Sequence, residues 1–365
     1  MAVGVRRRWW LPSVRGLVIV AVTLAVVMGG GWLAKPMWQP WWYARTLCGG
    51  NLSGGDLAEL LPNERLRPAE DTFGTGHSPL RCGVDKNDGR HFVLDIEAQT
   101  DTGKRLGPLD MEFTIPTDPD FAYPRSVPGF YGKFGPVIIQ ECPKLGRDSE
   151  GRKPRLVTTV NTTAVENDPS PQTLRTAVRI ANAANAEIGC GADPLPLPDR
   201  VESTRKLSLS QAKNTMCGWL THGTLPKSPS GKAWKVAAPT NERATITSCS
   251  LIDSGTGEYA VNLTGWYGDW TDKPFDTLLA ANMQIPKGHS PHDALLGDNF
   301  ARAKARCAGE SANFLANSST RNSSRPALPM SDVRFLLNKF TADQTERRDC
   351  THPELPDTTV HPRPH

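Results

Sequence analysis

The sequence predicts an α+β protein: an N-terminal single transmembrane helix, then two tandem homologous domains, each a roughly four-stranded antiparallel sheet packed with an amphipathic helix. Three observations carry this expectation. The eight cysteines form two sets of four, and corresponding members lie 169, 167, 165 and 160 residues apart. Segments that are apolar at every second residue recur at an offset of 167: Phe92, Leu94 and Ile96 match Tyr259, Val261 and Leu263. That alternation marks a strand with one buried face. An apolar i, i+3, i+4, i+7 pattern precedes the last cysteine of each set, which puts those side chains on one helix face. A slowly shrinking offset is what a duplicated unit with small loop insertions produces.

Residues 1–15 form a basic segment expected on the cytoplasmic side. Arg6, Arg7, Arg8 and Arg15 are the only charged residues before Lys35. Residues 16–34, GLVIVAVTLAVVMGGGWLA, carry no charge and one hydroxyl. At about 1.5 Å per residue, this stretch nearly spans a hydrocarbon core of roughly 30 Å. The arginine excess before it predicts a single-pass protein of the cell membrane, with its N-terminus in the cytoplasm and its remaining domains outside. The apolar run is longer than that of a cleaved signal peptide and no small-x-small site follows it, so the segment reads as an uncleaved signal anchor. The bilayer is then a partner through residues 16–34. Residues 35–47 form a Trp-rich juxtamembrane segment. Trp9, Trp10, Trp32, Trp38, Trp41, Trp42 and Tyr43 flank the span, where amphipathic rings sit at the headgroups.

The first domain is expected over 48–190. It opens on Cys48-Gly49 and turns a hairpin at Asn87-Asp88-Gly89, with further strands around Val137–Cys142 and Leu156–Val160. Leu174, Ala177, Val178 and Ala181 then mark a helix, with Ser170-Pro171 as N-cap and first helical residue. Residues 191–215, containing Pro194, Pro196 and Pro198, read as a linker. The second domain spans 216–350, opening on Cys217-Gly218 and turning at Ser254–Gly257. Its helix carries Val333, Leu336, Leu337 and Phe340 and starts near Ser331-Asp332. The last fifteen residues, 351–365, hold four prolines and no apolar period, so they read as a disordered tail.

An even cysteine count, wide spacing and an address outside the cytoplasm predict disulfides. Four cysteines allow three pairings in each domain. Pairing sequence neighbours gives Cys48 with Cys82, Cys142 with Cys190, Cys217 with Cys249 and Cys307 with Cys350. Each is expected to tie a helix to a strand and to contribute roughly 3–4 kcal/mol.

Composition narrows the function. Hydrophobic residues make up 38% and charged residues 22%, unlike a polytopic membrane protein. Setting aside the four N-terminal arginines, basic residues equal the 38 acidic ones. No Lys/Arg run tracks a phosphate backbone, so nucleic acid is not an expected partner. GxGxxG, GxxxxGK[ST], HExxH and GxSxG are absent, so no catalytic residue, cofactor or metal is assigned and the reading leans away from an enzyme. The segments 116–129 and 286–298 differ most between the two halves and are the expected binding loops. In the first, Asp118 and Asp120 would supply paired carboxylates beside Tyr123 and other aromatics. In the second, His289, His292 and Asp293 would offer two imidazoles and a carboxylate to a metal. A polar proline turn and core-packing aromatics are the plainer readings of the two segments.

The arginine-flanked anchor, the Cys-Gly start of each half and the helix ending at a cysteine resemble the uncharacterised membrane-anchored or secreted envelope proteins of actinobacteria. The resemblance implies location and fold class and carries over no activity. The expected function is a membrane-tethered extracytoplasmic binding or scaffolding protein of the bacterial cell envelope. Its expected partner is an envelope protein or wall component. The alternative is an envelope hydrolase or metal-binding protein using the loops at 116–129 and 286–298.

Overall fold

The computed structural model describes residues 14–75, 79–89, 91–100, 121–122, 124, 126–131, 135–148, 151–163, 170–199, 201–203, 206–238, 244–272, 275, 285–290, 292–318 and 326–362. These residues build an α+β molecule with two main antiparallel sheets. In chain order the helices are α1 (Val14–Leu33), α2 (Lys35–Thr46), α3 (Gly54–Leu60), α4 (Pro171–Ile188), α5 (Leu209–Ala212) and α6 (Met330–Arg347).

The first sheet runs β1 (Leu66–Pro68), β2 (Leu80–Lys86), β3 (Phe92–Thr100), β7 (Arg155–Thr162), β6 (Pro136–Glu141), β5 (Gly129–Tyr131). The second runs β13 (Leu295–Leu296), β14 (Phe300–Cys307), β15 (Glu310–Asn317), β12 (Tyr259–Tyr267), β11 (Ile246–Asp253), β10 (Trp234–Ala237), β9 (Lys206–Ser208). Here β16 (Cys350–Glu354) adds to the edge of β14. A small separate ladder joins β4 (Phe121–Ala122) to β8 (Glu202–Ser203).

The two sheets share strand order and register. Cys82 faces Ile96 across β2 and β3, and Cys249 faces Leu263 across β11 and β12. The bulge after Val84 recurs after Leu251, again at an offset of 167. Asn161 pairs with Asp95, and Asn317 pairs with Asn262. A one-residue slip in either sheet would turn its apolar set outward, so the buried face fixes this register.

One face of each sheet is covered by its helix. Leu174, Ala177, Val178 and Ala181 of α4 are fully buried with Val84, Leu94 and Ile96. Val333, Leu336, Leu337 and Phe340 of α6 are equally buried with Val261, Leu263 and Phe314. The Ser170 hydroxyl caps α4 by accepting from Thr173 N at 3.1 Å, Pro171 opens the helix, and Gly189 closes it at φ 72°. The second helix starts at Met330 behind Pro329, one residue before the expected Ser331-Asp332.

The opposite sheet faces meet in a third cluster. Val137 and Ile139 of β6 and Val157 of β7 pack with Trp266, Phe300 and Leu315 of the second sheet, while Ile138 faces the first core. The layers therefore run helix, sheet, sheet, helix.

All four expected sulfur pairs are formed, with Cα separations of 5.3, 4.4, 5.7 and 4.0 Å in chain order. Cys307–Cys350 joins two strands, β14 and β16, rather than a helix and a strand.

Several boundaries differ from the sequence expectation. Each sheet exceeds four strands, because strands of two to four residues such as β5, β10 and β13 are too short to show a period. The expected linker 191–215 contains β9, whose Leu207 pairs with Val236, and α5, opened by a Ser208–Gln211 capping box. Its proline-rich part is gripped by α4: Asn182 accepts from Leu195 N at 2.8 Å and Asn185 accepts from Ala192 N at 3.0 Å. The expected disordered tail 351–365 begins within β16, and further on His361 N donates to Leu296 O at 2.8 Å. Main-chain pairing at a sheet edge needs no apolar period, and the Cys307–Cys350 bond delivers the chain there. The first core starts before Cys48, since Tyr43, Ala44 and Leu47 join it.

At the N-terminus, Leu17, Ile19 and Val26 of α1 are exposed. Among the described residues no single helix is both long and apolar enough to cross a membrane. Leu17–Gly30 and Lys35–Thr46 reach that measure only together, as a pair bent by 77°.

Candidate functional site: a cleft between the two sheets

Where the sheets meet, a cleft of about 870 Å³ opens between the ends of β6 and β7 on one side and β12, the β14–β15 turn and the end of α6 on the other. Pro128, Gln140, Glu141, Arg155 and Asp193 come from the first half, and Tyr267, Gly268, Glu310, Arg347 and Arg348 from the second. Such junctions are where ligand sites tend to lie.

Local structure explains the position of each charge. Ala308 and Gly309 both take positive φ, 52° and 82°, so β14 and β15 are joined by a two-residue turn that makes Glu310 the first residue of β15. Ser311 N donates to Asp269 Oδ1 at 2.7 Å, and Gly268 N donates to Ser311 O at 2.8 Å, which pins that strand start. On the facing sheet Arg155 opens β7 and pairs with Glu141 at the end of β6.

Arg155 and Glu310 are both buried, and Arg155 Nη2 donates to Glu310 Oε2 at 2.9 Å. Arg155 Nη1 lies 2.8 Å from Glu141 Oε1, and Lys153 Nζ sits 3.1 Å from Glu141 and 3.7 Å from Glu310. Two carboxylates and two cations thus alternate across the junction. Partial burial pushes the Glu141 carboxyl up, but the hydrogen bonds and charges of Arg155 and Lys153 outweigh it, so Glu141 ionises below the usual carboxylate range.

The opposite wall is Tyr267. Burial pushes its hydroxyl up to about 12, so it stays protonated and donates to Gln344 Oε1 at 2.8 Å. Arg348 lies over the ring, 3.5 Å from its centroid, and donates to Ala244 O at 2.7 Å. Arg347 and Gln344 both donate to Asp343 Oδ2 at 2.8 Å, which ties the rim to the tyrosine. The cleft thus offers charges of both signs, an aromatic wall and peptide groups. Its Glu310 is tied up in ion pairs, and its phenol is far from ionising at neutral pH. This chemistry suits recognition of a polar ligand, with no activated nucleophile or base among these residues.

Of the expected binding loops, only part is described. Asp118, Asp120 and Tyr123 lie outside the described residues. From the segment 116–129, Pro128 lines the cleft. His289, His292 and Asp293 lie away from it, ahead of β13. Asp293 Oδ2 accepts from Ser290 N at 2.8 Å and sits 3.5 Å from His289 Nδ1, and these contacts keep it below the usual carboxylate range. The His289 ring meets that of His361, with centroids 4.3 Å apart. His292 is exposed. Among the described residues no group of three or more His, Cys, Asp and Glu is placed to hold a metal ion.

The cleft residues were not foreseen. Arg155 and Glu310 have unlike counterparts in the other half, Ser311 and Pro154 in matched register, so comparing the halves does not single them out. The one available signal was a charged residue opening each of two otherwise uncharged strands. In comparisons with family models, curated proteins and solved structures, the chain matches none.

Proposed function

We propose that this chain is a membrane-tethered, extracytoplasmic binding or scaffolding protein of the type its sequence resembles in actinobacterial envelopes. Its ligand surface in this reading is the cleft between two copies of one duplicated domain. The observation that carries it is the cleft itself, about 870 Å³ and lined by both halves. Matched strand order and register support duplication. The four disulfides support an oxidising location. Support for the tether comes from the uncharged run 16–34 behind four arginines, which falls in the helix Val14–Leu33 with Leu17, Ile19 and Val26 among its exposed side chains.

The ligand is a polar segment of an envelope protein or wall component that presents both hydrogen-bond donors and acceptors, since arginines and carboxylates alternate along the cleft. The test is saturable capture of such a component from detergent-solubilised membranes by the full chain. Charge reversal at the exposed rim, Asp193→Lys with Arg347→Glu, should abolish capture. Lys232→Glu, beside the hairpin at the far end of β12, should not. Equal capture by all three proteins would remove the cleft from the function.

A further inference from the structure

We infer that α2 lies flat in the headgroup layer of the bilayer and holds the first domain against the membrane surface. The inference rests on the tether reading and adds an orientation to it.

The two faces of α2 are unlike in what they touch. Gln39, Pro40, Tyr43 and Ala44 are buried against the first domain. Tyr43 Oη and Lys35 Nζ each donate to Leu66 O at 2.8 Å, and Gln39 Oε1 accepts from Leu66 N at 3.2 Å. The helix therefore cannot roll independently of the sheet. Met37, Trp38, Trp41 and Trp42 occupy the other face, and they are 73%, 44%, 52% and 58% exposed. At 100° per residue, these four positions cluster on the side opposite the buried four. Gly54 is part of the fit, because a Cβ there would come within 2.6 Å of the Trp41 ring.

Three features identify the occupant of that face as lipid. The first is continuity: α2 follows an exposed apolar helix and bends 77° away from it. If α1 crosses the bilayer, α2 runs close to the membrane plane, at the depth where tryptophan is enriched. The second is composition, since Met and three indoles supply apolar bodies with N–H groups that reach headgroup oxygens. The third is charge. Lys35 and Arg45 lie near the two ends of the helix, Arg65 lies 3.2 Å over the Trp32 ring just before it, and the first acidic residue of the chain, Asp56 of α3, is paired with Arg175. This arrangement is complementary to anionic glycerophospholipid.

The test uses the full chain reconstituted in vesicles of phosphatidylcholine and phosphatidylglycerol, some carrying acyl chains brominated near the headgroup. Bromine quenches tryptophans that lie at its depth. The wild-type emission should be quenched, and replacing Trp38, Trp41 and Trp42 together by Ser should remove roughly half of the quenchable part, since they are three of the six N-terminal tryptophans. The single Trp42→Ser protein should lose a smaller share and serves where the triple variant folds poorly by circular dichroism. Alkaline carbonate extraction reads the tether separately. Carbonate-resistant protein with quenching unchanged in the variants overturns the inference and leaves the tether standing. Carbonate-extractable protein with variant-sensitive quenching supports the inference and overturns the tether. Tryptophans shielded only as protein concentration rises, the result for a second copy on this face, overturn the inference.

Discussion

Arg155 of the first sheet and Glu310 of the second meet at 2.9 Å, each less than a tenth exposed, in the wall of the cleft between them. The pair is the charged counterpart of the apolar cluster between the sheets that holds Val157 and Leu315.

Removing one partner leaves the other charge buried. Glu310→Ala is therefore expected to destabilise the protein by about 3 kcal/mol, and the double variant with Arg155→Ala by less than the sum of the two single losses. Urea unfolding of the four proteins of this cycle measures it. Additive losses would show that the two side chains do not act as a pair.

Glu141 is held below the usual carboxylate range, so its contribution is fully present above the unfolded value of about 4.3 and is lost as pH falls through the lower folded value. Glu141→Gln should lower the urea midpoint at neutral pH and leave it unchanged in strong acid. The difference between the two proteins should shrink steadily on acidification.

Asp95 behaves oppositely. Partial burial pushes its carboxyl up, and the charge of Asp85 adds to this, while Arg81 and Asn161 offset only part. A raised folded value means that the ionised form costs stability above it, a cost relieved as pH falls. The second sheet carries Asn262 at the matching register position. Asp95→Asn should thus raise the thermal midpoint at neutral pH and change little near pH ~4, where the wild-type carboxyl is becoming neutral.

Replacing both cysteines of one pair, for example Cys217→Ala with Cys249→Ala, should cost roughly 3–4 kcal/mol, since the bond closes a loop of 32 residues. Peptide mapping without reductant should recover all four pairs within the halves. A Cys190–Cys217 peptide would contradict the fold.

The parts of the fold visible in the sequence were those with a repeating physical signature. Leu174, Ala177, Val178 and Ala181 announce a buried helix face, and the matched offsets of Cys82 and Ile96 with Cys249 and Leu263 announce a shared register. Short strands placed by main-chain pairing carry no such signature, which is why β9 and β16 fell within segments read as linker and tail. The cleft was invisible for a different reason. Arg155 and Glu310 lie 155 residues apart, and only the packing of one sheet on the other brings them together. His289 and His292 stood out because they are close in the sequence, yet the ring beside His289 is that of His361, from the tail.

The strand at Cys350–Glu354 has a practical consequence. By occupying the rim of β14, it hides main-chain groups between Lys304 and Cys307 that would otherwise recruit a foreign strand. Chains trimmed at Asp349 would lose this cover and the bond to Cys307 together. Such shortened proteins should self-associate through that bared rim, so tags and fusions belong beyond His361.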